Sequence, residues 1–258
     1  MFYRDIDFKK FSSIKIGQIE NVLMVERGDE IPTDRFIIGG ANNLLISQNP
    51  PPLMKLSKDF DFIEMSNNNL TVGASTPTGK LLSFAKKYNL GGFEFISKLP
   101  GTIGGMVAMN AGVKSYEIFN IINRVKIDNR WISKKDIVHG YRFAKIDGVI
   151  MEVSLKIDGK FNRGLLNELI SLRSNQPKNP SAGSTFKNPK GDYAGRLIDE
   201  VGLKGYRVGG VEWSRVHANF LVNIDNGTFD DAITLIELTK SRVYNKFAVT
   251  LSEEIKII

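Results

Sequence analysis

Ser184 and Lys187 stand three residues apart in PSAGSTFKNP, Pro180 to Pro189. This is the S-x-x-K spacing that acyl-transferring enzymes use for a serine nucleophile and its lysine. That chemistry also needs a Lys-Thr-Gly or Lys-Ser-Gly strand, and the chain contains neither. Ser184 is then a hydroxyl behind Gly183, in a chain with no cysteine and only two histidines, His139 and His217. Those counts rule out a disulfide, a thiolate metal site and a cysteine nucleophile. The two histidines lie too far apart to suggest a metal centre, and each reads as a structural hydrogen-bonding residue.

Phosphate-binding loops are the next chemistry to test. GASTPTGKL from Gly73 approaches a Walker A loop, but five residues separate its glycines where four are required, and Leu81 stands where a Mg²⁺-binding hydroxyl belongs. GTIGG, Gly101 to Gly105, is not the G-x-G-x-x-G of a dinucleotide fold. Two glycine-rich turns remain, Gly39-Gly40-Ala41-Asn42-Asn43 and Pro100-Gly101-Thr102-Ile103-Gly104-Gly105. Glycine lets backbone amides approach an anion and adopt positive φ, and successive amides then form a concave anion site.

The elements that must position these residues follow from periodicity. Alternation predicts strands over Ser13–Glu26, Arg35–Gly40, Asn68–Thr76, Arg124–Ile132, Gly148–Ile157, His217–Ile224 and Ala248–Ile258. Helical spacing predicts four helices. The first is opened by Thr76 and Pro77 and presents Leu81, Phe84, Ala85 and Tyr88. The second presents Leu165, Leu166, Leu169 and Ile170, and the third Ala194, Leu197, Ile198 and Val201. The fourth is capped by Thr228 with Asp231 at the capping-box position. The mixture is α+β with about three lobes.

With 258 residues, 42% of them hydrophobic, the chain has ample material for a core. No apolar run approaches the length of a bilayer span, and the opening residues lack the pattern of a signal peptide, so a cytoplasmic protein is expected. The net charge of +7 suits a phosphate-bearing partner. The basic residues are scattered, which argues against nucleic acid.

Taken in order, GGANNLLI (Gly39 to Ile46), LPGTIGGMVAMNAG (Leu99 to Gly112), GYR (Gly140 to Arg142), SAGSTFKNP, AGRLIDEVGLKGYRVGG (Ala194 to Gly210), HANFLVN and LSEEIKII carry a resemblance. The series resembles the UDP-N-acetylenolpyruvoylglucosamine reductase (MurB) family over nearly the whole chain. The short run between Tyr141 and Val149 is similar to the compact form, which lacks an inserted substrate-covering loop.

The resemblance implies a three-lobed α+β fold, with an FAD-binding unit of the PCMH type made of two subdomains, residues 1–50 and 51–158. A substrate-binding domain over 159–247 and a C-terminal strand, 248–258, would follow. It implies FAD and NADPH as cofactors and UDP-N-acetylglucosamine-enolpyruvate as the substrate. NADPH would reduce the flavin, which would deliver hydride to the vinyl carbon C3. A monomer with no nucleic-acid or membrane partner is expected.

By the same resemblance Ser184 matches the proton donor to C2, and Arg142 and Glu254 match its supporting residues. Gly39, Gly40, Asn42, Asn43, Gly101, Thr102, Gly104, Gly105 and Asn110 match loops around the flavin. Lys187 and Asn188 match the side that takes the substrate diphosphate and uridine. Strand alternation does not decide between Glu253 and Glu254, and the motif's register selects Glu254. Ala41, Asn42 and Lys114 depart from the family pattern, as does the absence of a proline before the glutamate. An FAD-dependent oxidase of the same superfamily is the alternative, and a non-catalytic binding module the alternative from another class.

Overall fold

A computed structural model describes residues 1–258. The chain forms two compact units. The first comprises Met1–Arg4, Val22–Gly40 and Pro52–Ser174; the second comprises Asp5–Asn21, Ala41–Pro51 and Asn175–Ile258. Both mix helices with mainly antiparallel sheets, which is the expected α+β class. No helix is long and apolar enough to cross a membrane.

The first unit is built on a five-stranded antiparallel sheet, ordered Arg130–Ser133, Ile122–Ile127, Ile150–Lys156, Asn69–Gly73 and Ile63–Ser66. Its register aligns Val125, Val153, Val72 and Ile63 in one cross-strand row. Three of these are fully buried, so one face of the pleat becomes core. A parallel set places Leu53–Leu56 between Phe36–Ile37 and the end of Ile19–Val25.

Leu81 and Ala85 of the helix Thr78–Lys87 are buried as its periodicity predicts. Its cap differs from expectation. The hydroxyl of Thr76 donates to the Phe62 carbonyl at 3.0 Å, so Pro77 becomes the N-cap and no side chain caps the helix. The helix Arg163–Leu172 is capped by Asn162 and buries Leu166 and Leu169, whereas Ile170 is exposed. Leu169 belongs to the first unit's core. Residues 159–174, which the resemblance would place at the start of a substrate-binding domain, pack with the first unit.

The second unit carries an antiparallel sheet ordered Ser181–Ser184, Phe220–Asn223, Val211–Trp213 and Arg207–Val208. The helix Phe229–Phe247 buries Ala232, Leu235, Ile236, Thr239 and Val243, and its Thr228–Asp231 capping box is present as expected. Trp213, fully buried, donates its indole N–H to Thr239 Oγ1 at 2.8 Å. That bond satisfies the polar atom of the bulkiest side chain in the core. A parallel pair of Lys256–Ile257 with Leu44–Leu45 ties the end of the chain into this unit.

Candidate active site

Ser184 ends the strand Ser181–Ser184, opposite Phe220 and half-buried. Gly183 before it has φ +83, a backbone state that favours glycine. The residues after it are held from both sides. The Thr185 amide donates to the Asn219 carbonyl at 2.8 Å, and Thr185 Oγ1 accepts the Leu221 amide at 3.3 Å. Asn219 Oδ1 accepts the Phe186 amide at 3.0 Å while Nδ2 donates to the Phe186 carbonyl at 2.8 Å. Thr185, Phe186 and Asn219 are all buried, so water does not compete for these bonds.

The last segment of the chain closes on the other side. The Glu254 amide donates to the Thr185 carbonyl at 2.8 Å, and the Lys187 amide donates to the Ser252 carbonyl at 2.9 Å. Within this unit the backbone of Glu254 is thereby one residue removed from Ser184. Glu253 is engaged elsewhere, in an ion pair of 2.9 Å with Lys240 on the long helix. The hydrogen bonds that Lys240 donates to Glu253 and Glu237 raise its pKa above the ordinary value.

Asn43 belongs to this cluster as well. Its Nδ2 donates to the Glu254 carbonyl at 3.0 Å and its carbonyl accepts the Lys256 amide at 2.9 Å. The carbonyl of Asn42 accepts from Ser13 Oγ at 3.3 Å. Lys187 is half-buried, and Asn188 Oδ1 accepts the Ala194 amide at 3.0 Å, which satisfies the first amide of the helix Ala194–Glu200, whose N-cap Tyr193 makes no side-chain bond.

In the first unit the two glycine-rich turns meet. A Cβ on Gly39 would lie 2.7 Å from Thr102 Oγ1, and one on Gly104 would lie 3.0 Å from the Ala74 Cβ. Glycine is therefore required at Gly39 for close approach of one turn to the other. Gly101 has φ +128, and Thr102 caps the turn that follows, accepting the Gly105 amide at 3.4 Å. The amides of Ile103 and Gly104 are spent on the carbonyls of Thr76 and Ala74. Those of Gly39 and Gly40 donate to nothing within the protein. The amides of Gly101 and Thr102 are likewise without an acceptor in the protein, while Gly104 packs against Ala74. Lys55 Nζ donates to the Gly39 carbonyl at 3.1 Å, and burial, then the charge of Arg4, lowers its pKa.

Arg142, also in the first unit, occupies a two-residue turn between His139–Gly140 and Phe143–Ala144. Its φ is +60 and its Nη2 donates to the Gly112 carbonyl at 3.0 Å. Asn110 is fully buried, with its side chain bonded to Glu117, Gly140 and Phe119. Lys114 pairs with Glu168 at 3.6 Å on the surface.

Sequence reasoning missed Asn219 and Thr185. The available signal was a polar residue inside the apolar run Ala218-Asn219-Phe220-Leu221, since a buried asparagine needs partners. His217 reads as the structural residue expected. Its Nδ1 accepts the Asn219 amide at 3.3 Å, and burial lowers its pKa.

Comparison with known proteins gives a consistent result. Residues 176–258 match the family described as UDP-N-acetylenolpyruvoylglucosamine reductase, C-terminal domain. A UDP-N-acetylenolpyruvoylglucosamine reductase of Helicobacter hepaticus is 41% identical over 257 residues, covering 98% of each chain. One of Campylobacter jejuni is 42% identical over 258 residues, covering 98% of this chain and 99% of that one. The crystal structure of UDP-N-acetylenolpyruvylglucosamine reductase (MurB) from Thermus caldophilus superposes with a TM-score of 0.87 at 30% identity, over 100% of this chain and 99% of the other. Identity of this extent along the whole length, on a shared fold, means that the chain belongs to the UDP-N-acetylenolpyruvoylglucosamine reductase family.

Proposed function

We propose that this chain is the NADPH-dependent flavoenzyme that reduces the enolpyruvyl group of UDP-N-acetylglucosamine-enolpyruvate to the lactyl ether of UDP-N-acetylmuramate. The observation that carries the assignment is the bond from the Glu254 amide to the Thr185 carbonyl, which sets a carboxyl-bearing residue beside a serine with no partner base.

The residues present fit a flavin dinucleotide. The unspent amides of Gly39 and Gly40 are uncharged donors suited to a diphosphate. Gly39, Gly40, Asn42, Asn43, Gly101, Thr102, Gly104 and Gly105 would hold FAD; Asn110, expected with them, spends its side chain on Glu117, Gly140 and Phe119 instead. When bound there, FAD would supply the hydride chemistry, with NADPH as the reductant and substrate C3 as the acceptor.

What remains is the work of side chains. Hydride addition leaves negative charge at C2 of the substrate, delocalised into the adjacent carboxylate, and this enolate-like species is far more basic than any ordinary side chain. A serine hydroxyl, too weak an acid for common bases, protonates it. Ser184 therefore needs no histidine. Arg142 holds the substrate carboxylate, for which a guanidinium fork offers two parallel donors. Glu254 donates a hydrogen bond to the same group when protonated, a state that a neighbouring carboxylate favours. Lys187 and Asn188 serve the diphosphate and uridine side. With these roles the protein would act in peptidoglycan precursor synthesis, and we take it to be a cytoplasmic monomer.

The test is a two-step spectroscopic titration. Purified protein should show oxidised flavin bands that NADPH bleaches without oxygen and that the enolpyruvyl sugar nucleotide then restores. Restoration by oxygen alone would point to an FAD-dependent oxidase, and colourless protein that takes up no added FAD would defeat both. Ser184→Ala should leave the NADPH step near wild type and slow the second step by about 10² to 10⁴.

A further inference from the structure

Asn110 has a left-handed backbone, φ +42, and is fully buried. An asparagine in that position uses its side chain inside the protein or leaves it unsatisfied. Here it is used completely by three partners. Nδ2 donates to Glu117 Oε2 at 2.8 Å and to the Gly140 carbonyl at 2.9 Å, and Oδ1 accepts the Phe119 amide at 3.3 Å.

Two of these bonds lead to Arg142. Gly140 pairs with Phe143, so the bond to its carbonyl holds the strand immediately before the Tyr141-Arg142 turn. Glu117 pairs with Gly112 in a tight hairpin, where a Cβ on Gly112 would lie 2.0 Å from the Tyr116 carbonyl oxygen. The Gly112 carbonyl in turn accepts Arg142 Nη2 at 3.0 Å. Arg142 is thus anchored at its backbone through Gly140 and at its guanidinium through Gly112. Asn110 joins both anchors. Arg142 also has φ +60, a strained state for a residue with a Cβ that persists only where the surroundings impose it. His139, on the same strand as Gly140, stacks on Phe119 with ring centroids 4.1 Å apart, a second tie between the two segments.

We propose that Asn110, together with Glu117, is the positioning pair for Arg142: it holds the 139–144 hairpin against the 112–117 hairpin and so aims the guanidinium. On this assignment the Asn110 side chain acts through Arg142 and does not itself touch the cofactor. The catalytic half of the idea rests on the proposed reductase function; the placement half stands on the first unit alone.

The experiment uses the full chain with Asn110→Asp, which keeps the shape, removes both donors and sets a carboxylate beside Glu117, and Glu117→Gln as the gentler variant. The first readout is amide hydrogen exchange across residues 137–146 without substrate. Exchange there should quicken at least tenfold in Asn110→Asp, and less in Glu117→Gln, while the helix Phe229–Phe247 stays protected. The second readout is a double-mutant cycle of Asn110→Asp with Arg142→Lys on reoxidation of the reduced protein by the enolpyruvyl substrate. Asn110→Asp alone should slow that step on the order of 10²-fold with NADPH reduction within about threefold of wild type, and the double variant should be little slower than Arg142→Lys.

Unchanged exchange at 137–146, or fully additive losses in the cycle, would overturn the proposal. Should Asn110→Asp not fold, Glu117→Gln carries both readouts: a smaller quickening of exchange confined to 137–146 and non-additivity with Arg142→Lys support the proposal, and unchanged exchange or additive losses overturn it. Failure of the wild type to be reoxidised by the substrate would sink the function, and the exchange result would still decide the placement.

Discussion

Asn219 holds the peptide unit of Phe186 at both ends, accepting from its amide at 3.0 Å and donating to its carbonyl at 2.8 Å. The side chain imitates a neighbouring strand at a point where the sheet has run out, and the Asn219 carbonyl receives Thr185 at 2.8 Å. Three bonds from one residue thus set the chain that leaves Ser184.

Asn219→Ala removes two of those bonds and strands the Phe186 amide and carbonyl in a dry environment. A loss of about 1 to 3 kcal/mol in unfolding free energy is expected. If the clamp sets Ser184, reoxidation of reduced protein by the enolpyruvyl substrate should fall while reduction by NADPH does not. Denaturant unfolding and the two half-reaction rates check both statements.

Glu253 and Glu254 are adjacent and chemically identical, yet they should respond oppositely. Glu253 pairs with Lys240 at a partly exposed site, where such pairs contribute up to about 1 kcal/mol. Glu253→Gln should therefore cost little stability and leave turnover near wild type. Glu254→Gln should slow turnover by about 10² to 10⁴. The reverse pattern would transfer the catalytic assignment to Glu253.

Gly39→Ala tests the meeting of the two turns. The added methyl would lie 2.7 Å from Thr102 Oγ1, closer than a Cβ tolerates, and Gly39 does not have positive φ, so the clash is the whole effect. The variant should retain at least tenfold less flavin after purification. Thr102→Ala in the same chain removes the clashing oxygen and should restore part of the loss, at the cost of a cap worth about 1 kcal/mol. Flavin absorbance per protein and a thermal melt separate the two contributions.

The helix Phe229–Phe247 was legible because its signals are local: the capping box sits within four residues and the apolar face repeats with the helical period. Alternation over Ser13–Glu26 suggested a continuous strand, but only Ile19–Val25 is one. Ile14 and Ile16 are buried on alternate residues as a strand would have them, yet Lys15 has φ +60 and Gly17 φ +130, which no strand permits. Alternating burial arises whenever two side chains plug one core, and periodicity does not distinguish the cases. The closing segment repeats the lesson, with Leu251 and Ile255 buried and only Lys256–Ile257 paired as strand.

In the site, Ser184 and the glycine turns were visible because long motifs carry them. Asn110 and Asn219 show why the rest was not: what an amide side chain does depends on groups brought close by folding, Gly140 thirty residues away and Phe186 thirty-three.

Asp231 gives the stability a calculable acid limb. Its carboxyl accepts the amides of Thr228 at 3.0 Å and Gly210 at 3.2 Å, and the first of these is the main cause of a pKa below the ordinary 3.8. A carboxyl depressed on folding contributes stability that is complete above its unfolded pKa and is lost as pH falls through the folded value. Asp231→Asn replaces the charged acceptor with a neutral one that does not titrate. The stability difference between wild type and variant should therefore be constant from pH 7 to 5 and shrink below about pH 4, as pH falls toward and through the lowered folded value. Thr228→Ala, which removes the other half of the box, should instead cost about 1 kcal/mol at every pH where the protein folds. Urea unfolding of the three proteins at pH 7, 5 and 3 distinguishes a titrating cap from a merely geometric one, since only the former makes the Asp231→Asn difference depend on pH.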